Sequence, residues 1–316
     1  MSAITIQVVQ LLLVLLVAPF LTGLARRIKG ILHGRRGPSP LQPYRDIIRL
    51  LRKDAVMAEN ASWLFRVTPY LVFAALWTAA ALVPTFTTTI ALGMAADLIA
   101  LVALLGSARF FTALAGMDVG TSFGGIGSSR EMMIASLAEP AMLAVIFTLS
   151  IFAHTTSLAG IADYIVGAER VGLEVSLAFA LLALIMVAIA ETGRIPVDNP
   201  ATHLELTMVH EAMVLEYSGR HLALIEAAGM LKLLLYVSLI GCVFAPWGMA
   251  VPGEPIERYA VALGLYGAKI VGAGILLPIF ETSIAKMRVF RYPEFLGAAL
   301  LLGLLATIFL YVAGAI

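Results

Sequence analysis

Apolar runs of about 20 residues recur throughout this chain of 316 residues. An α-helix needs about 20 apolar residues to cross a hydrocarbon core that is about 30 Å thick. Only 13% of the residues are charged, whereas soluble domains carry about 25%. These features predict an all-α polytopic membrane protein, in which residues 1–316 form a single integral membrane domain.

Eight runs are long enough to span a membrane. The first has no basic segment before it and no small-residue cleavage site after it, so we expect a retained helix and not a signal peptide. The predicted spans are Thr5–Leu24, Val67–Leu92, Ala95–Leu114, Glu131–His154, Leu173–Gly193, His221–Ala245, Tyr259–Ile279 and Phe295–Ala315.

The distribution of Lys and Arg predicts the orientation, because cytoplasmic loops are enriched in both residues. With the N-terminus outside, ten fall in the first inner loop and six in the other inner loops, whereas two fall in outer loops. The prediction is therefore N-out and C-out, with cytoplasmic loops at 25–66, 116–130, 194–220 and 282–293.

Composition excludes several kinds of site. The net charge is only +1 and the basic residues serve membrane orientation, so we expect no nucleic-acid partner. The lone Cys242 excludes a disulfide or a cysteine-ligated cluster within this chain. We therefore expect no cofactor in this chain, although bound membrane lipid is compatible with the sequence.

The first inner loop contains RRGPSP and then a basic amphipathic segment. Pro38 and Pro40 break any helix, whereas Tyr44–Lys53 places apolar residues among basic ones, which is typical of an interfacial helix. This loop is either a positive-inside anchor or a docking surface for a soluble subunit. The candidate docking residues, including two from other inner loops, are Arg35, Arg36, Tyr44, Arg45, Asp46, Arg49, Arg130 and Arg194.

The second inner loop has five glycines and leads into the fourth span. It either lines a cavity mouth or forms a flexible turn. Glu139 follows Glu131 by eight residues, so both lie on nearly the same helix face, and Pro140 weakens the helix beside them. Glu139 is a candidate for a proton path, and the alternative is a structural ion pair with a basic residue such as Arg109.

The segment from Glu191 to Gly219 is unusually acidic for this chain. Carboxylates that share a site of low dielectric raise one another's pKa, so they can exchange protons near neutral pH. A metal site at His203 and His210 is an alternative, and a third is pairing of the acids with arginines of a partner.

Charges inside the spans must face the bundle interior, because each costs about 2.5–3.5 kcal/mol at the bilayer centre. They predict a buried polar axis that either carries ions or fixes the packing. Together with the acidic segment, the candidate ion-path residues are Glu131, Glu139, Glu191, Asp198, Glu205, Glu211, Glu216, Glu226, Lys232, Lys269 and Glu281.

Four motifs occur in an order that resembles the complex I subunit 1 family, which is the heel subunit of NADH:quinone oxidoreductase. They are RRGPSPLQPYRDIIRLLRKD, GIGSSRE with EP eight residues later, ETGRIPVD and EYSG. The resemblance covers essentially the whole chain and agrees with eight spans. Ala201 and His203 stand where the family often has acids, while Asp198, Glu205 and Glu216 keep their counterparts.

The short first loop resembles the membrane-bound group 4 [NiFe] hydrogenase branch, which includes formate hydrogenlyase-like complexes. The resemblance implies a heel subunit in the cell inner membrane that links a cytoplasmic redox arm to proton or sodium translocation. It implies hydrogenase large and small subunits as partners, carrying the [NiFe] centre and a [4Fe–4S] cluster, together with a ferredoxin-like subunit and antiporter-like membrane subunits. The chain itself is then a non-redox subunit of an oxidoreductase complex.

Two other functions stay open on the sequence. One is the quinone-site subunit of a complex I-type enzyme, with a cavity below the third loop. The other is a stand-alone secondary transporter, although the broken helices of repeated halves that such proteins show are not evident.

Overall fold

The computed structural model describes residues 3–88, 91, 97–167, 174–198, 209–287 and 291–314. Its helices are α1 (Ala3–Leu32), α2 (Gln42–Leu51), α3 (Trp63–Leu82), α4 (Leu98–Asp118), α5 (Ser122–Ala153), α6 (Leu158–Gly167), α7 (Val175–Glu191), α8 (His210–Val214), α9 (Gly219–Val243), α10 (Ile256–Ser283) and α11 (Tyr292–Gly314).

Within the described residues, seven helices are long and apolar enough to cross a membrane: α1, α3, α4, α5, α9, α10 and α11. The predicted fifth span falls on α7, an apolar helix of 17 residues, which corresponds to a length of about 26 Å. The all-α polytopic membrane architecture is therefore confirmed. The count of eight spans and the N-out orientation stay predictions.

The amphipathic helix after the first span is α2, and the RRGPSP segment before it folds back on α1. A Cβ atom at Gly23 would lie 2.0 Å from the carbonyl oxygen of Pro40, and one at Gly30 would lie 2.6 Å from the Cα atom of Gly37. Only glycine fits such close approaches. The hydroxyl of Tyr44 then donates to the carbonyl oxygen of Leu16, which ties α2 to α1.

The structure differs from the expected glycine-rich loop at 116–130, because α5 already begins at Ser122. Thr121 caps the helix by accepting a hydrogen bond from the amide of Gly124. A Cβ atom at Gly124 would lie 2.1 Å from the carbonyl oxygen of Gly116, and one at Gly127 would lie 2.9 Å from the Cβ atom of Ala212. The glycines thus serve close packing of α5 against α4 and α8.

The membrane helices pack in adjoining groups: α5 with α7 and α11, α3 with α4 and α9, and α1 with α9 and α10. Small residues bring α11 close to α5, since a Cβ atom at Gly303 would lie 3.0 Å from that of Ala144. Thr148 and Thr307 share a hydrogen bond of 2.8 Å across the same interface. Both features are typical of helix association in membranes.

A contact that we call the clasp joins the α2–α3 connection to the segment before α9. Ser218 Oγ accepts from the amide of Val56 at 2.8 Å and donates to the carbonyl oxygen of Val56 at 2.7 Å. The ring of Tyr217 stacks on Phe65 with centroids 3.9 Å apart, and its hydroxyl donates to the carbonyl oxygen of Phe65. The two connections are therefore held against each other.

Burial, together with the negative charge of Asp118, raises the pKa of the Tyr217 hydroxyl well above its usual value. The hydroxyl therefore stays protonated and remains a donor to Phe65. Gly219 follows with a φ of 51°, and a Cβ atom there would lie 2.4 Å from the carbonyl oxygen of Asp54. The Tyr-Ser-Gly part of the EYSG motif is thus explained by its contacts with the α2–α3 connection and the start of α3.

Candidate functional site

A cavity of about 710 Å³ lies between the C-terminal half of α1, the middle of α3 and α4, and the N-terminal half of α9. One part of its wall is apolar and includes Val72, Leu76 and Ile225. Another part carries charged residues from α1, α4, α5, α9, α10 and the end of α7. This volume is within the range of small-molecule sites, so the cavity can hold an organic ligand or water.

Arg109 is the centre of a buried charge cluster on one wall of the cavity. Its guanidinium pairs with Glu191, lies 3.5 Å from Glu131 and lies 3.4 Å from Glu139. Lys232 Nζ lies 2.8 Å from the second carboxylate oxygen of Glu191. We call these five residues the Arg109 cluster.

Four helices position the Arg109 cluster. Glu131 and Glu139 lie two helical turns apart on α5, on the side that meets Arg109 of α4. Gly106, one turn before Arg109, leaves room for the Glu139 carboxylate, which would lie 3.4 Å from a Cβ atom there. The side chains of Arg109 and Glu191 are each only 3% exposed.

The Arg109 cluster contains three carboxylates and two cations. Buried ions are tolerated when they are paired, because desolvation alone costs several kcal/mol per ion. With all five groups ionised, the cluster has one excess negative charge, so binding of a single proton would neutralise it.

A second ion network, which we call the Glu281 triad, borders the same cavity. Glu281 of α10 places one carboxylate oxygen 2.7 Å from Lys29 Nζ and the other 2.9 Å from a guanidinium nitrogen of Arg194. The Glu281 side chain is 3% exposed, whereas those of Lys29 and Arg194 are 29% and 19% exposed. The triad joins α1, α10 and the segment after α7.

The start of the acidic third loop is firmly held. The carbonyl oxygen of Arg194 accepts from the amides of Val197 and Asp198, and the amide of Met287 donates to the carbonyl oxygen of Pro196 at 2.9 Å. Buried Asp198 accepts from the amide of Val209 at 3.3 Å.

His210 and Glu211 of α8 then line the cavity. Glu205, and His203 of the alternative metal site, lie outside the described residues.

Three other predicted path residues occupy different surroundings. Glu226 of α9 is exposed and lines the cavity, whereas Glu216 is exposed and does not line it. Lys269 lies 12 residues before Glu281 on α10, about 18 Å along the helix. Its Nζ donates to the carbonyl oxygen of Ala245 at 2.5 Å. Lys269 therefore lies far from the Glu281 triad, and this hydrogen bond is to a carbonyl oxygen and not to a carboxylate.

The predicted docking residues of the first loop lie mostly on the surface. Arg35, Arg36, Arg45 and Arg49 are exposed, and Arg49 pairs with Asp46 at 3.0 Å. Half-buried Tyr44 holds α2 to α1. Two further predicted residues lie elsewhere: Arg130 is half-buried in α5, and Arg194 belongs to the Glu281 triad.

Sequence reasoning missed Lys29 and assigned Arg109 only as a partner of Glu139. The position of Arg109 within an apolar span indicated that it has carboxylate partners, because a buried cation in a membrane must be paired. No comparable signal marks Lys29, which lies in a basic stretch that reads as a membrane anchor. Among the described residues, no group of three or more His, Cys, Asp or Glu side chains is arranged to hold a metal ion.

Comparisons with known proteins agree over nearly the full chain. The sequence profile of the family described as NADH dehydrogenase matches residues 4–312. Formate hydrogenlyase subunit 4 of Escherichia coli (strain K12) is 34% identical, with the match covering 96% of this chain and 98% of that protein. Hydrogenase-4 component C of the same strain is 32% identical over 88% of this chain and 87% of that protein.

A more distant relative and a solved structure also match most of the chain. NADH-quinone oxidoreductase subunit 8 of Rhodothermus marinus is 27% identical, covering 82% of this chain and 77% of that protein. Among solved structures, a chain from the membrane-bound sulfane sulfur reductase, an archaeal respiratory membrane complex, has a TM-score of 0.84 at 16% identity. The match covers 98% of this chain and 100% of that one, so the two chains share a fold.

Proposed function

The chain belongs to the NADH dehydrogenase family, also called the complex I subunit 1 family, and on that premise we propose that it is the heel subunit of a group 4 [NiFe] hydrogenase complex. The complex is of the formate hydrogenlyase type. Identities of 34% and 32% to hydrogenase-side relatives, against 27% to a quinone-side relative, support this branch. The subunit anchors a soluble redox arm and links it to proton or sodium movement.

The Arg109 cluster is the observation that carries this proposal. It is a connected set of carboxylates and cations, of which all but Glu139 line the cavity, and it includes acids from α5 and from the end of α7. A charge that changes near the cavity alters the proton affinity of every member. Such a cluster can convert a redox or binding event into uptake or release of a proton.

The proton path that we propose has Glu139 in the membrane and Asp198, Glu205 and Glu216 at its cytoplasmic entrance. Glu139 suits transfer because its side chain is 45% exposed, in contrast to the buried carboxylate of Glu191. Other members of the path are the cavity-lining acids and the cation that pairs with Glu191: Glu131, Glu191, Glu211, Glu226, Lys232 and Glu281.

The partners follow from the same branch of the family. A large subunit with the [NiFe] centre, a small subunit with a [4Fe–4S] cluster and a ferredoxin-like subunit form the soluble arm, and antiporter-like subunits adjoin in the membrane. This chain contributes anchoring and ion coupling and carries no redox centre. The site of assembly is the cell inner membrane, with the soluble arm on the cytoplasmic side.

Glu139→Gln is the decisive variant, since it keeps the shape of the side chain and removes its charge. We expect the complex to assemble and its soluble arm to react normally with an artificial electron carrier. Ion translocation in proteoliposomes should fall at least about tenfold, the effect of a barrier raised by about 1.4 kcal/mol.

Glu257→Gln is the matched control, because Glu257 is an exposed acid in the first turn of α10, away from the cavity. It should leave both assembly and translocation unchanged. Unchanged translocation in Glu139→Gln would assign Glu139 to packing, and loss of assembly would favour a structural ion pair with Arg109.

Docking of the soluble arm on residues 25–66 and 194–220 has its own test. The only cysteine, Cys242, is buried, so single cysteines at Arg35 and Glu216 can be labelled over a low background. We expect labelling to fall when the soluble subunits are present, while a cysteine at Glu257 stays reactive. Equal labelling of all three positions in both states would contradict docking at these loops.

A quinone site is the second candidate function, and the cavity favours it. Apolar residues such as Val72, Leu76 and Ile225 line one part of the wall, which suits an apolar tail, and charged groups line another. Quinone recovered from the purified complex in a stoichiometric amount would support this function. A nickel-containing partner without bound quinone would support the hydrogenase heel instead.

A further inference from the structure

A second buried polar region lies at the end of the bundle opposite the cavity. Helix α3 ends at Leu82, and the irregular segment that follows, residues 83–88, is buried at every position. In membrane proteins, a non-helical backbone is tolerated where protein covers it or where it lines a polar site. This segment reads Val-Pro-Thr-Phe-Thr-Thr, which supplies hydroxyl groups to the interior.

Two glutamines of α1 point into this region. Nε2 of Gln7 and Nε2 of Gln10 each donate to the carbonyl oxygen of Ala81 at 3.0 Å, and Nε2 of Gln10 also donates to that of Val83 at 2.7 Å. Gln10 is completely buried and Gln7 is 6% exposed. The two amide groups therefore converge on the end of α3.

These contacts determine which way each amide faces. Exchanging the nitrogen and oxygen of either amide would place an oxygen against the carbonyl oxygen of Ala81, which is repulsive. The Oε1 atoms are therefore the free ends, and neither has a hydrogen-bond partner among the described residues. A buried carbonyl oxygen that lacks a donor is unfavourable, which indicates that a donor or a cation belongs there.

Thr85 adds a third oxygen of the same kind. It lies two residues after Val83, at most about 7 Å along the chain. It is 4% exposed, and in the part of the chain that the structure describes its hydroxyl has no hydrogen-bond partner. Neighbouring Thr87 differs, because its hydroxyl donates to the carbonyl oxygen of Ala250 at 2.9 Å and holds the segment in place.

We propose that Gln7, Gln10 and Thr85 form a binding site for an alkali-metal cation. Carbonyl and hydroxyl oxygens without carboxylates are the ligands that replace the hydration shell of a monovalent ion, whereas divalent ions in proteins take carboxylates. Unwound backbone and helix C-terminal ends are used in the same way at sodium sites of transporters. Here the C-terminal end of α3 supplies the negative end of a helix dipole.

This site is independent of the Arg109 cluster and of the proposed function. On α1, Gln10 lies 12 residues before Thr22, the first cavity-lining residue of that helix, and the buried stripe between them is apolar. Failure of the cation site would leave the assignment of the heel subunit unchanged. Success would identify an alkali-metal ion held by this chain.

The test uses the purified intact complex and the variant Thr85→Val, which keeps the side-chain shape and removes only the hydroxyl. We expect the wild-type complex to bind radiolabelled Na⁺ and to melt about 5 °C higher in Na⁺ or K⁺ than in choline at equal ionic strength. Thr85→Val should raise the Kd for the ion about tenfold, as expected for the loss of one good ligand.

Thr87→Val is the matched control, because it removes a hydroxyl that already has a protein partner. It should lower the melting temperature by the same amount in every salt and leave the Kd unchanged. Gln10→Leu should abolish binding, but it also removes the contact with Val83, so Thr85→Val carries the test.

The proposal is overturned if the wild-type complex binds no Na⁺ and melts at the same temperature in all three salts. It is also overturned if Thr85→Val leaves the Kd unchanged. In a site without a cation, Thr85→Val should be neutral or should raise the melting temperature equally in every salt, because it removes a buried hydroxyl that has no partner.

Discussion

The two ends of the helical bundle satisfy their buried polar groups in different ways. At the cavity end, Arg109 and Lys232 are paired with carboxylates. At the opposite end, Lys269 donates to the carbonyl oxygen of Ala245, and Gln10 donates to those of Ala81 and Val83. Within the described residues, networks of several ions are thus confined to one end.

The difference matters because carboxylates titrate and backbone carbonyls do not. A proton that binds to the Arg109 cluster changes the net charge of the cluster and therefore the electrostatic potential at the neighbouring groups. A carbonyl dipole at the other end has a fixed strength, so it can hold a cation or a donor but cannot store a proton. This contrast supports the two proposals, ion coupling at the cavity end and binding of a cation at the opposite end.

The largest effect should follow from Arg109→Met, which leaves three carboxylates with only Lys232. Removing one partner from a buried ion network typically costs about 3–5 kcal/mol. We expect loss of assembled complex, measured by yield and by thermal stability in detergent. Arg109→Lys keeps the charge and should recover part of the stability. A stable Arg109→Met complex would mean that the cavity end does not depend on its ions.

Glu281→Gln should have the next largest effect, because it removes the charge that holds Lys29 and Arg194. Both cations are partly exposed and can be rehydrated, so we expect a loss of about 2 kcal/mol. The loop at 194–198 should loosen. A cysteine introduced at fully buried Val197 should become reactive in Glu281→Gln and stay protected in the parent. Equal protection in both would contradict the role of the triad.

A paired substitution of two lysines compares the two ends directly. Lys232→Met leaves Glu191 paired with Arg109, so no buried charge loses its last partner. We therefore expect a loss of about 1–2 kcal/mol together with slower ion translocation. Lys269→Met removes a single contact to a carbonyl oxygen, and we expect a change within about 0.5 kcal/mol. Equal losses of translocation in the two variants would contradict the assignment of coupling to the cavity end.

Ser218→Ala should have the smallest effect of the cavity-end variants. It removes the two hydrogen bonds to Val56 in the clasp. Because both bonds are exposed, water can replace them, so we expect a loss of about 0.5 kcal/mol, the low end of the range for one hydrogen bond. We expect a slightly lower melting temperature and faster hydrogen exchange at the amide of Val56. Ser129→Ala, an exposed serine with only a local hydrogen bond, is the control and should change neither.

The architecture could be predicted from the sequence because run length and hydropathy decide whether a helix spans a membrane. The helix after RRGPSP was also predictable. The prolines interrupt the first helix, and the amphipathic pattern of Tyr44–Lys53 predicts a new one. The start of α5 was not predictable. Its glycines usually indicate a loop, but here they allow α5 to pack against Gly116 and Ala212.

The candidate site was predictable only in part. Charges in apolar spans indicated a buried polar axis, and the structure places Arg109, Glu139 and Glu191 together. Helical periodicity shows which residues share a face of one helix, but it does not show which helices are neighbours. For this reason, Lys29 was missed as a partner of Glu281, and Lys269 was grouped with acids from which it is distant.

The clasp has a consequence for the order in which the chain is made. Val56 lies in the first fifth of the sequence, whereas Ser218 lies more than two-thirds of the way along it. Synthesis runs from the N-terminus, so the clasp on the α2–α3 connection can form only after Ser218 has been synthesised. An incomplete chain therefore lacks the clasp. If the soluble arm docks on both connections, as proposed, truncated subunits should fail to assemble with it.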